Sequence, residues 1–131
     1  MKSLRLRSVR SLSTVLFAAA GFAALTGCTP EQIALFNQVT SPYQDTVTDQ
    51  QLASLRHCES TDNYAAVSAS GRYRGAYQFS QSTWNRVAAS HFPWLVDTDP
   101  ATVEPWWQDA MARALWSESG ASSWPQCGRN L

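Results

Sequence analysis

Lysine is almost missing from this chain: Lys2 is the only one in 131 residues, and only six arginines follow Arg10. Without basic clusters the sequence has no footprint for gripping nucleic acid or an anionic lipid surface by charge. There are three cysteines and two histidines, at no spacing that suits zinc, and no glycine-rich loop follows a strand-like segment to cradle a phosphate. No metal, nucleotide or other cofactor is therefore expected. The apolar run Val15–Leu25 would rise only about 16 Å as a helix, half the hydrocarbon core of a bilayer and too short for an ordinary span. Charged residues are 15% and hydrophobic residues 44%, a balance too apolar for a disordered chain, and the length allows one small domain.

Four of the ten cations, Lys2, Arg5, Arg7 and Arg10, precede that apolar run, and no acid comes before Glu31. Cations, then a short apolar core, then small residues is the order of an export signal, which is removed rather than folded. The run closes on Leu25-Thr26-Gly27-Cys28, which resembles the bacterial lipobox, where small residues fit the signal peptidase and the cysteine thiol receives a diacylglycerol. On this reading residues 1–27 are a lipoprotein signal peptide and Cys28 is the lipidation site. The mature protein then sits on the extracytoplasmic face of the cell membrane, facing the wall. Two or more acyl chains anchor a protein stably, whereas one holds it only marginally. The alternative is a plain secretory signal that leaves Cys28 as a free thiol, a liability outside the cell.

Removing residues 1–27 leaves 104 residues, six arginines and ten acids, a formal charge of −4. Any polymer such a chain recognises is engaged by shape, hydrogen bonds and ring faces rather than by opposite charge. With Cys28 assigned to lipid, Cys58 and Cys127 are the remaining cysteines of an exported domain and are expected to pair. Closing a loop of about 70 residues would remove roughly 4 kcal/mol of denatured-state entropy.

Residues 28–48 read as a lipid-anchored tether, polar and carrying Pro30 and Pro42, with two helical turns within Glu31–Val39 that put Ile33 and Phe36 on one side. The alternative, a segment that packs on the domain or lies in the membrane interface, has against it few apolar residues and no cation to meet lipid phosphates. The folded domain is expected over residues 49–131. Thr48 and Gln51 have capping-box spacing ahead of Leu52 and Leu55, predicting a helix over residues 49–59. Leu52, Leu55 and Glu59 fall at i, i+3 and i+7, so Glu59 shares the apolar face at the helix's C-terminal end. Desolvation and the negative end of the helix dipole both raise a carboxyl pKa there. Ala66–Ser68 and Tyr73–Gly75 flank the turn signal Ser70-Gly71 and predict a small hairpin. A helix over residues 81–90 would bury Trp84, Val87 and Ala88. Another from about Pro105 would bury Trp107, Ala110, Met111, Ala114 and Leu115 and stop at Gly120. Trp84, Trp107 and Trp116 read as core and Trp124 as packing beside the cysteine pair, leaving Trp94 and Trp106 as possible ring platforms for sugars.

Three stretches carry a resemblance: Leu55-Arg56-His57-Cys58-Glu59-Ser60, then Gly75-Ala76-Tyr77-Gln78-Phe79-Ser80-Gln81-Ser82-Thr83-Trp84, and finally Trp124-Pro125-Gln126-Cys127-Gly128. Over about residues 50–131 the chain resembles the resuscitation-promoting-factor or transglycosylase-like domains of actinobacteria. The resemblance implies a lysozyme-like fold, mainly α with a short β-hairpin (α+β), one disulfide bridging Cys58 and Cys127, and peptidoglycan glycan strands as substrate. It makes Glu59 the catalytic acid and assigns Gln78 and Thr83 to the sugar-binding cleft. Asp62, Asn63, Tyr64 and Trp106 complete the candidate substrate-binding set. The departure is Ser60-Thr61-Asp62-Asn63-Tyr64, where better-known members have two glycines before Asn and an aromatic residue. A looser turn after the catalytic helix is therefore expected, and Asp62 is a new charge whose direction decides whether it affects Glu59.

Cleaving a glycosidic bond needs a proton donor that stays protonated near neutral pH in a partly desolvated cleft. A second carboxylate usually serves as nucleophile or base. In a lytic transglycosylase the muramic acid C6 hydroxyl attacks instead and the same Glu returns as base, leaving a 1,6-anhydro sugar. Asp62, Asp97, Asp99, Glu104 and Asp109 are the other acids that could serve, and none occupies a position the family pattern makes catalytic. Asp97 and Asp99 read as loop and helix-cap residues. The expectation is a monomeric, lipid-anchored lytic transglycosylase acting on the N-acetylmuramic acid to N-acetylglucosamine link, with a peptidoglycan endopeptidase as a candidate partner. A two-carboxylate muramidase and a non-catalytic wall-binding lipoprotein are the rivals.

Overall fold

The computed structural model describes Gly27 and residues 29–131. The export segment and the lipobox cysteine Cys28 lie outside the described residues. Four helices, α1 (Pro30–Thr40), α2 (Asp49–Ser60), α3 (Gln81–His91) and α4 (Pro105–Ser119), surround a two-stranded antiparallel hairpin, β1 (Tyr73–Arg74) and β2 (Phe79–Ser80). This is the mainly α fold with a small hairpin that the sequence predicts.

The helix starts follow from local chemistry. Thr48 accepts from the Gln51 amide while the Gln51 side chain accepts from the Thr48 amide, a complete capping box for α2. Ser80 caps α3 by accepting from the Thr83 amide, and Pro105 opens α4 where its missing N–H costs nothing. Gly120, at φ +57°, ends α4. Leu55, Tyr77, Trp84, Val87, Phe92, Met111 and Ala114 are fully buried and form the centre of the core.

Three expectations differ in detail. The segment given two helical turns has three, opened by a second capping box between Thr29 and Gln32. It rests against the domain: Phe36 meets Trp107 edge to face at 5.0 Å, and Thr40 is buried. The Ser70-Gly71 turn forms, closed by Gly71 N–H to Ser68 O at 2.8 Å, but Val67 contributes only one bridge to Arg74. The ladder itself runs across Gly75–Gln78, where both end residues have positive φ. Asp99 holds Arg74 and turns the loop at Ala101 rather than capping a helix; the cap position of α4 is Glu104.

Candidate active site

Glu59 stands on the last turn of α2, on the face that carries Leu52 and Leu55 into the core. It is half-buried, and its carboxyl makes no hydrogen bond or ion pair among the described residues. Burial pushes its pKa above the ordinary glutamate value, because desolvation disfavours the charged form and nothing nearby offsets it.

Two connections hold the helix end beside Glu59. Cys58 is disulfide-bonded to Cys127, 69 residues away. Trp124, three residues before Cys127, is buried and donates its indole N–H to Tyr77 O at 3.0 Å, which ties the hairpin turn to the same corner. The second connection is the turn that follows. Thr61 and Asp62 both adopt left-handed backbone, φ +54° and +63°. The Thr61 N–H reaches His57 O at 2.9 Å, the 5→1 bond of an αL closure, and the Asp62 N–H reaches Arg56 O at 3.4 Å. The expectation of a looser turn here is corrected: the chain takes a glycine-type path without glycine.

Asp62 explains part of that. Its carboxylate accepts from Arg56 Nε at 2.9 Å and sits 2.9 Å from His57 Nδ1, so it is folded back over α2. The hydrogen bonds from His57 and Arg56 lower its pKa. It therefore stays ionised on the exposed side of the turn while burial alone accounts for the upward shift of Glu59. Asn63 accepts from the Ala65 amide at 3.0 Å and fixes the next residues.

Asp109 on α4 gathers the groups behind this turn. Tyr64 OH donates to its Oδ1 at 2.8 Å and Tyr77 OH at 2.6 Å, with Arg56 Nη1 at 3.5 Å. Burial and the Asp109 bond push the Tyr64 hydroxyl up to about 12, and Tyr77 is raised for the same reasons. Both phenols therefore remain protonated donors.

Gln108, next to Asp109 and fully buried, accepts from Ala76 N–H at 2.8 Å and donates to Tyr64 O at 3.0 Å and Val103 O at 2.8 Å. One amide thereby joins the hairpin, the turn after α2 and the loop before α4. Gly75 makes room for it, since a Cβ there would lie 2.5 Å from Gln108 Oε1 on a backbone at φ +79°.

The other sequence-predicted site residues divide into two places. Gln78 and Thr83 belong to the hairpin corner: Gln78 Nε2 donates to Gly75 O at 3.0 Å, and Thr83 Oγ1 accepts from Ser80 at 3.0 Å. Trp106 stands at the start of α4 and lines a groove with α1 and Trp94. Gln108 and Asp109 were not singled out as structural partners from sequence. Their signal was a polar pair on the α4 turn whose neighbours, Trp107 and Ala110, point to the core. Among the described residues no group of His, Cys, Asp or Glu could hold a metal ion.

Comparison with known proteins identifies the family. The family model for the transglycosylase-like domain matches residues 46–127. Probable transglycosylase SceD 3 of Staphylococcus saprophyticus is 39% identical over 74 residues, 56% of this chain and 29% of that protein. Resuscitation-promoting factor RpfC of Mycobacterium tuberculosis is 32% identical over 75 residues, 57% of this chain and 48% of its own length. Resuscitation-promoting factor RpfA of the same species is 31% identical over 99 residues, 76% of this chain and 22% of its own. The chain thus spans less than half the length of these relatives, and no solved structure matches it. With the matched residues running from just before α2 to the second disulfide cysteine, the chain belongs to the transglycosylase-like domain family.

Proposed function

We propose that this protein is a peptidoglycan lytic transglycosylase in which Glu59 is general acid and then general base. The observation that carries the reading is a half-buried carboxyl with no hydrogen-bond donor among the described residues and a pKa raised by burial. Such a group keeps its proton closer to neutral pH and can deliver it. The relatives named as transglycosylases support the reaction class.

In the proposed reaction the Glu59 proton passes to the glycosidic oxygen as the C1–O bond of N-acetylmuramic acid breaks. The C6 hydroxyl of the same sugar then attacks C1, and its proton returns to Glu59. No water is consumed, and the product carries a 1,6-anhydro ring. Gln78, Thr83, Asn63, Tyr64 and Asp62 are proposed to line the glycan path, whereas Trp106 stands apart in the groove beside α1. Residues 1–27 are proposed to be removed, with Cys28 lipidated and the domain held outside the membrane.

The test is mass spectrometry of fragments released from purified peptidoglycan by the wild-type protein and by Glu59→Gln. Fragments one water lighter than hydrolysis products, absent with the variant, support the reading. Ordinary reducing ends would move the chemistry to a two-carboxylate hydrolase, whose acids stand about 5–9 Å apart. Release by Glu59→Gln at the wild-type rate would remove Glu59 from the role.

A further inference from the structure

The α1 helix leaves an apolar surface that the proposed chemistry does not use. Ile33 and Leu35 are 50% and 61% exposed, and Trp94 and Trp106 across from them are 53% and 43% exposed. Between them runs an open groove of about 520 Å³, with Gln32 the one polar residue among eight that line it. Its floor is aromatic: Trp107 packs edge to face on Phe36, Phe92 and Trp94 at 5.0–5.6 Å.

Position in the chain says what could cover it. Cys28 is joined through Thr29 to the first residue of α1. At about 1.5 Å per helical residue, Leu35 is no more than roughly 10 Å along the helix from its start. A cysteine carrying acyl chains would therefore place hydrocarbon beside Ile33, Leu35 and the two indoles. Exposed tryptophan suits such a boundary, with an apolar ring body and an N–H that can stay wet. The lining holds no cation and the mature chain is acidic, so attraction to anionic headgroups is not the basis.

We propose that the groove formed by α1, Trp94 and Trp106 is a seat on the lipid bilayer, engaged by its hydrocarbon boundary next to the anchored Cys28. The inference rests on the lipid-anchor reading above. It changes the reach of the enzyme. With α1 folded against the domain only Thr29 separates it from Cys28, and a seated domain holds Glu59 within about one domain diameter of the membrane, near 30 Å. The substrate would then be the membrane-proximal glycan strands.

The experiment uses the full chain, purified from its membrane and reconstituted in phosphatidylcholine vesicles with or without brominated acyl chains. Bromine should quench tryptophan emission in the wild type, and Ile33→Ser/Leu35→Ser, two exposed positions, should lose that quenching while remaining on the vesicle. Activity on soluble glycan fragments should not change. Equal quenching of both proteins, or of neither, overturns the seat. A dimer in sedimentation that the double variant splits would overturn it in favour of a second copy. The N-terminal peptide mass tests the anchor separately: an unmodified Cys28 refutes the anchor. In that case the unlipidated protein decides the groove. A vesicle affinity that falls about tenfold in the double variant and is indifferent to salt supports the seat, and no binding overturns it.

Discussion

Replacing Gln108 by Met tests the polar joint that sets the hairpin against α2. Methionine has nearly the same length and volume, so packing is largely kept and the loss is confined to hydrogen bonds. The Ala76 N–H is fully buried and would be left without its acceptor, at about 1–3 kcal/mol. Tyr64 O and Val103 O would each lose a donor, at about 1 kcal/mol apiece. Burying a thioether instead of an amide returns about 1 kcal/mol. The expected net destabilisation is about 2–4 kcal/mol, or roughly 10–25 °C in Tm for a domain of this size.

Urea unfolding followed by tryptophan fluorescence measures the loss, and hydrogen exchange at the Ala76 amide localises it. That amide should exchange much faster in Gln108→Met, while amides within α3 change only by the shared global term. A loss under about 1 kcal/mol with the Ala76 amide still protected would mean that Gln108 does not hold the hairpin. The account of the corner behind Glu59 would then be wrong.

Replacing both Cys58 and Cys127 opens a loop spanning 69 residues. The chain-entropy relation puts the cost at about 4 kcal/mol, measurable as a shift of the urea midpoint and contradicted by a midpoint that does not move. Thr61→Gly should stabilise by about 0.5–1 kcal/mol, because a β-branched residue in left-handed backbone costs more than glycine's extra entropy; calorimetry showing a lower Tm would refute this. Glu59→Gln should abolish turnover and also raise stability near neutral pH. The folded carboxyl holds its proton more tightly than the unfolded one. Wild-type stability therefore falls as pH rises from the unfolded value, about 4.3, through the raised folded value, and stays lower above it. The variant lacks that decline, so parallel Tm curves against pH would contradict the argument.

Much of this architecture is legible because the helix starts are local. Thr48 with Gln51, Ser80 before Gln81, and Pro105 each announce a helix through a donor or acceptor within one turn. The disulfide follows from Cys58 and Cys127 being the cysteines left once Cys28 is set aside at the end of the apolar run. The hairpin register was less legible, since Gln78 takes positive φ without being glycine, and only its Gly75 partner carries a residue-type signal. Thr29 and Gln32 had capping-box spacing in plain view, yet the extent of α1 depends on Phe36 finding Trp107 seventy-one positions later. The same is true of Gln108, Asp109 and Arg113. A polar residue on a helix is read as solvated by default, and only tertiary partners make it buried. Arg113 is such a case, donating to Gln44 O and Val47 O from inside the core.

The acids of this domain show how one fold separates two protonation regimes. Among the described residues Glu59, Asp99, Asp109 and Glu118 have partly covered side chains, and Glu118 is held by Arg86 and His91. Asp99 is held by Arg74, whose hydrogen bond lowers its pKa. The more exposed Asp62 is taken by Arg56 and His57, with the same effect. Donors aimed at a carboxylate favour its charged form, whereas shelter without donors favours the acid. The arginine nearest to Glu59 along α2, Arg56, is engaged by Asp62, Tyr77 and Asp109. A free guanidinium on that helix would draw the Glu59 proton off. Asp62 and the Tyr64–Asp109 cluster therefore serve the proposed acid indirectly, by engaging the guanidinium three residues before it on α2.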